Sequence, residues 1–166
     1  KNDPGVDIVS VLYKFGINNV FSEEIEKELE SIPNVVSEED KRGRRDLREE
    51  FIYTIDGDDT KDIDDAISIS KLDNGNYKLG VHIADVSYYV RKGTALYNEA
   101  YDRGTSVYLV DRVIPMLPHK LSNGICSLNP NEDRLTISCV MEINNNGDIV
   151  SHEIFESVIR SKIQMT

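Results

Sequence analysis

Between positions 56 and 65 the chain carries six aspartates in ten residues, Asp56, Asp58, Asp59, Asp62, Asp64 and Asp65, set between two stretches that read as strands. Carboxylates this close repel one another and raise one another's pKa. An exposed loop tolerates that in solvent, whereas a structured junction between strands calls for a cation. Oxygen donors with no His or Cys among them point to a hard divalent ion: Mg²⁺, Mn²⁺ or Ca²⁺. A calcium loop of the EF-hand type needs Gly at its sixth position and Glu at its twelfth. Starting at Asp56 these are Lys61 and Ile67, and starting at Asp58 the sixth is Ile63, so both registers fail. A catalytic Mg²⁺ site fits better. In an extended segment Asp62 and Asp64 face one way and Asp65 the other, and Gly57 lets the chain turn so that Asp56 comes back toward them. Such a set holds one or two ions and leaves positions open for a phosphate. The competing reading is a solvated acidic loop.

The remaining reactive side chains weigh less. His82 sits in an alternating strand beside Ile83 and reads as a hydrogen-bonded structural histidine; His119 and His152 have no acidic or thiol partner at useful spacing. Cys126 and Cys139 lie in apolar contexts, without a C-x-x-C pair or a His at zinc spacing, and read as buried reduced thiols of a cytoplasmic protein. Lys41, Arg44, Arg45 and Arg48 form the basic patch, which reads equally as a nucleic-acid backbone contact or a salt-bridged face. Asp85 reads as a supporting carboxylate. The 166 residues, 39 % hydrophobic and 30 % charged, have the composition of a soluble globular protein. No apolar run approaches the roughly 20 residues of a membrane span, so no membrane partner is expected. The opening Lys1-Asn2-Asp3-Pro4-Gly5 lacks an apolar leader core and an initiator Met, which fits a chain cut from something longer. A net charge of −11 weighs against nucleic acid, which usually needs a basic face, but suits an enzyme whose acidic cluster is offset by cations.

The elements that must position these residues follow from spacing. Residues 1–50 read as a helical linker. Asp3 and Pro4 can start a helix that Gly16 stops. Ser22 can cap a second helix running to about Ser31, ended by Pro33, and Ser37-Glu38-Glu39-Asp40 suggests a third start, broken at Gly43. From Phe51 the pattern changes to strands: Phe51–Ile55, Ala66–Ser70 and Tyr77–Val86, the last two joined by the Asp73-Asn74-Gly75-Asn76 turn. Thr94–Arg103 reads as a helix stopped by Gly104, Val107–Val110 as extended, and Pro115 and Pro118 as a rigid loop. Leu135–Ile143 and Ile149–Ile159 form a longer hairpin around residues 144–148. The sum is an α+β fold with a mixed, mainly antiparallel sheet and short helices.

The ordered motifs resemble those of the ribonuclease II superfamily. Asp56-Gly57, Asp62, Asp64-Asp65-Ala66 look like the first signature of its catalytic (RNB) domain. Val81-His82-Ile83-Ala84-Asp85-Val86-Ser87-Tyr88-Tyr89-Val90, Arg103-Gly104-Thr105-Ser106-Val107-Tyr108-Leu109, Ile114-Pro115-Met116-Leu117-Pro118 and Leu121-Ser122-Asn123-Gly124-Ile125-Cys126-Ser127-Leu128-Asn129-Pro130 with Glu132-Asp133-Arg134-Leu135 resemble later blocks, as Gly43-Arg44-Arg45-Asp46-Leu47-Arg48 does the approach to the domain. The wording is most similar to the bacterial ribonuclease R branch. The resemblance implies residues 51–166 as the N-terminal part of an RNB domain, with residues 1–50 following a cold-shock domain that this chain lacks.

It implies a processive 3′-to-5′ hydrolytic exoribonuclease that acts on the 3′ end of single-stranded RNA and releases nucleoside 5′-monophosphates with Mg²⁺ (or Mn²⁺). Asp56, Asp62, Asp64 and Asp65 match the metal-holding aspartates, with Asp62 and above all Asp64 catalytic; Asp58 and Asp59 fall between and read as solvated or supporting. Tyr108 matches an RNA-binding tyrosine that stacks on a base, an interaction worth roughly 1–3 kcal/mol; a core or interface tyrosine is the competing reading. The family's later transition-state arginine and S1-type RNA-binding domain have no counterpart here, so weak or no activity is expected of this chain alone. The rivals are an acidic, non-catalytic interaction module whose cluster binds Ca²⁺ or nothing, and a different two-metal phosphotransferase.

Overall fold

A computed structural model describes residues 6–110 and 112–166. Along the chain run α1 (Val6–Lys14), α2 (Glu23–Ser31), β1 (Arg45–Asp46), β2 (Tyr53–Ile55), β3 (Asp65–Lys71), β4 (Tyr77–Ala84), α3 (Val86–Tyr89), α4 (Ala95–Arg103), β5 (Val107–Tyr108), β6 (Val113–Ile114), a π-helical turn (Lys120–Ile125), β7 (Asp133–Ile143), β8 (Ile149–Arg160) and β9 (Ile163–Met165). They divide into two compact units. One holds residues 1–32 and 90–118, the other residues 33–89 and 119–166. No described helix is long and apolar enough to cross a membrane.

In the first unit the helix ends follow local chemistry. Gly16 (φ +65°) ends α1, with the Ile17 amide folding back onto the Leu12 carbonyl at 2.9 Å. The expected start at Asp3 and Pro4 lies outside the described residues. Ser22 caps α2 through the Ile25 amide and Thr94 caps α4 through the Tyr97 amide, while Gly104 (φ +67°) closes α4. Strands β5 and β6 form a two-stranded antiparallel pair.

The second unit is one seven-stranded sheet of order β1-β8-β7-β4-β3-β2-β9. Its four inner pairings are antiparallel; the two edge strands, β1 and β9, pair parallel. The mixed, mainly antiparallel sheet expected from the alternating pattern is present. The third helix expected near Ser37 is a series of turns instead. The Asp40 carboxylate takes both the Ser37 amide (2.8 Å) and hydroxyl (2.7 Å), and Gly43 adopts φ +84°, so the local hydrogen bonds compete with a helix and win. Beyond those turns Arg45–Asp46 joins the sheet as β1. One sheet face carries the core: Leu47, Ile52, Ile63, Ala66, Ala84, Leu128 and Ile159. Ile63 is the member that matters for chemistry. It sits between Asp62 and Asp64, and its burial, worth about 2–3 kcal/mol, anchors the acidic segment to the sheet.

Candidate metal centre

The acidic segment joins β2 to β3, and each part is tied to a different neighbour. The Asp56 amide donates to the Met165 carbonyl of β9 at 2.9 Å. Gly57 opens a turn closed by the Thr60 amide, and its carbonyl also accepts from Gln164 Nε2 at 3.1 Å. No left-handed backbone occurs at Gly57, and a Cβ there would meet only Thr60 Oγ1 at 3.5 Å, so the turn does not demand a glycine. Asp58 and Asp59 lie exposed in this turn, as solvated residues. Lys61 to Asp64 belong to no regular element. Their backbone is held by the Ser127 hydroxyl, the Leu128 amide on the Ile63 carbonyl (2.9 Å) and the Ala84 amide on the Asp64 carbonyl (2.9 Å). Asp65 begins β3 opposite Ile83.

Electrostatically, Asp64 feels Asp65 and Asp56, and Asp62 feels Asp64. Burial pushes the Asp64 carboxyl above its ordinary value, and the charges of Asp65 and Asp56 push it further. Burial likewise raises Asp62, the Asp64 charge adds to the rise, and His119 partly offsets it. Asp64 is solvent-accessible as a residue, yet enough protein surrounds its carboxyl for desolvation to lead. Asp56 Oδ2 is buried without a hydrogen-bond partner, which is costly for a carboxylate unless something else satisfies it. Among the described residues no three His, Cys, Asp or Glu side chains close on one point to form a shell. The residues therefore suit a hard divalent ion by donor type and by the unpartnered Asp56 oxygen, but not by a closed ligand shell.

Other sequence candidates resolve differently. Asp85 is buried and paired with Arg44 at 2.5 Å, with the Ser87 hydroxyl on its other oxygen at 2.8 Å, so it anchors an ion pair. The basic patch is salt-bridged throughout: Arg45 to Glu153 (2.6 Å), Arg48 to Asp46 (2.6 Å) and Lys41 to Asp133 (2.6 Å). His82 is buried between Ser68 and Ser138, as a structural histidine should be. Burial pushes the Cys126 thiol up to about 12, and both cysteines are free. Tyr108 lies on β5 in the other unit, 74 % exposed.

Spacing gave Ser127 and Arg134 no role, although both stand in the family-like blocks, and set His119 aside. Arg134 is buried and donates to the Ser127 carbonyl (2.6 Å) and the Gly124 carbonyl (3.1 Å), with Glu132 as its carboxylate partner. The visible signal was a serine inside the apolar run Ile125-Cys126-Ser127-Leu128, since a buried hydroxyl needs a partner.

Residues 44–166 match the family model for the RNB domain. Ribonuclease R of Thermotoga maritima is 55 % identical over 166 residues, covering 99 % of this chain and 23 % of that protein. Ribonuclease R 1 of Lactococcus lactis is 52 % identical over 165 residues, covering 99 % of this chain and 20 % of its own length. A solved structure of Mycoplasma genitalium RNase R in complex with ribose-methylated single-stranded RNA superposes with TM-score 0.91 at 30 % identity, over 99 % of this chain and 26 % of that one. The chain spans about a fifth to a quarter of the length of the curated relatives it matches. Its folded sheet, its ordered motifs and these similarities agree: the chain belongs to the RNB-domain family and carries an N-terminal portion of a ribonuclease R-type RNB domain.

Proposed function

We propose that this chain supplies the metal-binding half of the active site of a 3′-to-5′ exoribonuclease that hydrolyses single-stranded RNA to nucleoside 5′-monophosphates. The observation that carries the reading is the coupling of Asp64 to Asp65 and Asp56, and of Asp62 to Asp64, beside a buried Asp56 oxygen with no partner. Asp56, Asp62, Asp64 and Asp65 would hold Mg²⁺, or Mn²⁺ in its place. When bound, the ions supply an activated water and stabilise the leaving 3′-oxygen, so no side-chain nucleophile is required. Asp62 and Asp64 then orient the scissile phosphate's surroundings from a backbone held against the core by Ile63. Tyr108, exposed on its strand, offers a ring on which a base can stack irrespective of sequence. The RNA-bound Mycoplasma relative supports single-stranded RNA as the partner. Cytoplasmic location, and cold-shock and S1-type domains elsewhere in the parent protein, complete the proposal. The chain alone is weakly active or inactive, because it spans a minor part of its relatives' length.

The test is the parent protein carrying Asp64→Asn, assayed on 5′-labelled single-stranded RNA with Mg²⁺. Loss of turnover by about a hundredfold or more is expected if Asp64 supports metal catalysis; full turnover would sink the reading. The absence of a closed three-carboxylate shell among the described residues favours, as a second reading, an acidic module that binds Ca²⁺ or no ion. Calorimetric titration with Mg²⁺, Mn²⁺ and Ca²⁺ separates the two.

A further inference from the structure

Asp62 has a peptide group on either side, and one side chain grips both. The Ser127 hydroxyl donates to the Lys61 carbonyl at 2.8 Å and accepts the Ile63 amide at 3.1 Å. The carbonyl before Asp62 and the amide after it are thus joined through a single oxygen. That closes a small ring around the two soft dihedrals of Asp62, in a stretch where no helix or strand ladder fixes them. Ser127 is itself immobilised. It is fully buried, its carbonyl accepts Arg134 Nε at 2.6 Å, and Arg134 also holds the Gly124 carbonyl at 3.1 Å. The next residue, Leu128, donates to the Ile63 carbonyl at 2.9 Å. A rigid brace therefore runs from Arg134 through Ser127 to the backbone beneath Asp62.

We propose that Ser127 is a positioning residue: its hydroxyl sets the backbone at Asp62 and, through it, the spacing of the Asp62 and Asp64 carboxylates on which ion affinity depends. The proposal rests on the metal reading of the preceding subsection. Side chains that orient metal ligands without touching the metal typically cost 10–100-fold in affinity when removed. The Ser127 hydroxyl is buried and bonded to the backbone on both sides of Asp62, so its loss acts through geometry.

The experiment titrates Mn²⁺ into the chain by calorimetry, with thermal melting recorded for each variant. Ser127→Ala is expected to bind Mn²⁺ at least about tenfold more weakly at temperatures where it is folded. Ser127→Thr, which keeps the hydroxyl, recovers affinity. Ser138→Ala is the control: it removes an equally buried hydroxyl that contacts His82 at 2.7 Å and Ser157 at 2.5 Å. It is expected to lower the melting temperature and leave Mn²⁺ affinity unchanged. Unchanged affinity in Ser127→Ala, or an equal loss in Ser138→Ala, overturns the positioning role. No Mn²⁺ binding by the unmodified chain overturns the ion site and the positioning role with it, which sets that failure apart. Should Ser127→Ala not fold, Ser127→Cys fills the same space with a weaker hydrogen-bonding group; its affinity is expected to fall, and no change overturns the proposal.

Discussion

At the scale of single residues, the sheet spends its polar groups inside as well as at the acidic loop. A row of buried hydrogen bonds crosses four strands, from Ser68 to His82 (3.2 Å), His82 to Ser138 (2.7 Å), Ser138 to Ser157 (2.5 Å) and Ser157 to Thr136 (2.6 Å). Burial lowers the His82 pKa from 6.5 to about 4. The unfolded chain therefore takes up this proton first as pH falls. The His82 contribution to stability is complete above pH 6.5, declines between 6.5 and 4, and is lost below that, a change on the order of 3 kcal/mol. Urea melts of the chain and of His82→Gln at pH 7 and pH 4.5 are expected to differ by this pH-dependent component, and parallel pH profiles would count against it. Gly80 faces the same row: an added Cβ would collide with Ser68 Oγ and stand 2.8 Å from His82 Nε2. Gly80→Ala should therefore destabilise by about 1–3 kcal/mol, read as a lower denaturation midpoint with an unchanged slope. His82 was legible as structural because it stands in an alternating strand. Its partners were not, since Ser138 and Ser68 reach it only through strand pairing.

At the scale of elements, what the sequence revealed was what local chemistry decides. The caps Ser22 and Thr94 and the stops Gly16 and Gly104 act within one turn of their helices, so spacing alone locates them. The two hairpins were visible because Asn-Gly turns separate long alternating strands. Strands β1 and β9 were not, at two and three residues each, because their partners lie more than a hundred residues away: Arg45 opposite Ser157 and Tyr53 opposite Ile163. The same limit hid Ser127 and His119 from the site, while the aspartates, adjacent in sequence, announced themselves. Between helices, Glu28 on α2 has a role no local pattern shows. Its two carboxylate oxygens accept the Ala95 and Leu96 amides, each at 2.9 Å, at the N-terminus of α4, where free amides and the helix dipole favour an anion. Glu28→Ala should cost about 1–3 kcal/mol and speed hydrogen exchange at the start of α4, whereas Glu28→Lys should be worse. Exchange there that matches the unmodified chain would show that the contact carries no weight.

At the scale of the whole chain, the sheet face opposite the core is the most telling surface. Ile55, Ile69, Ile83, Ile137 and Ile154 share it by register, and Ile55 and Ile154 are 63 % and 64 % exposed. Soluble proteins seldom leave so many large apolar side chains exposed on one face, even one interrupted, as here, by Asp65 and Glu156. The isolated chain should therefore bind an apolar dye and lose monodispersity with concentration despite its net charge of −11. Ile83→Lys with Ile154→Lys should reduce both effects in dye titration and light scattering; identical behaviour would point to another surface.

The tie between Asp56 and Met165 has a consequence for synthesis. Translation is vectorial, so Asp56 emerges from the ribosome more than a hundred residues before the strand that pins its backbone. A nascent chain halted ahead of residue 163 already has every acidic side chain but lacks the anchor for one of them.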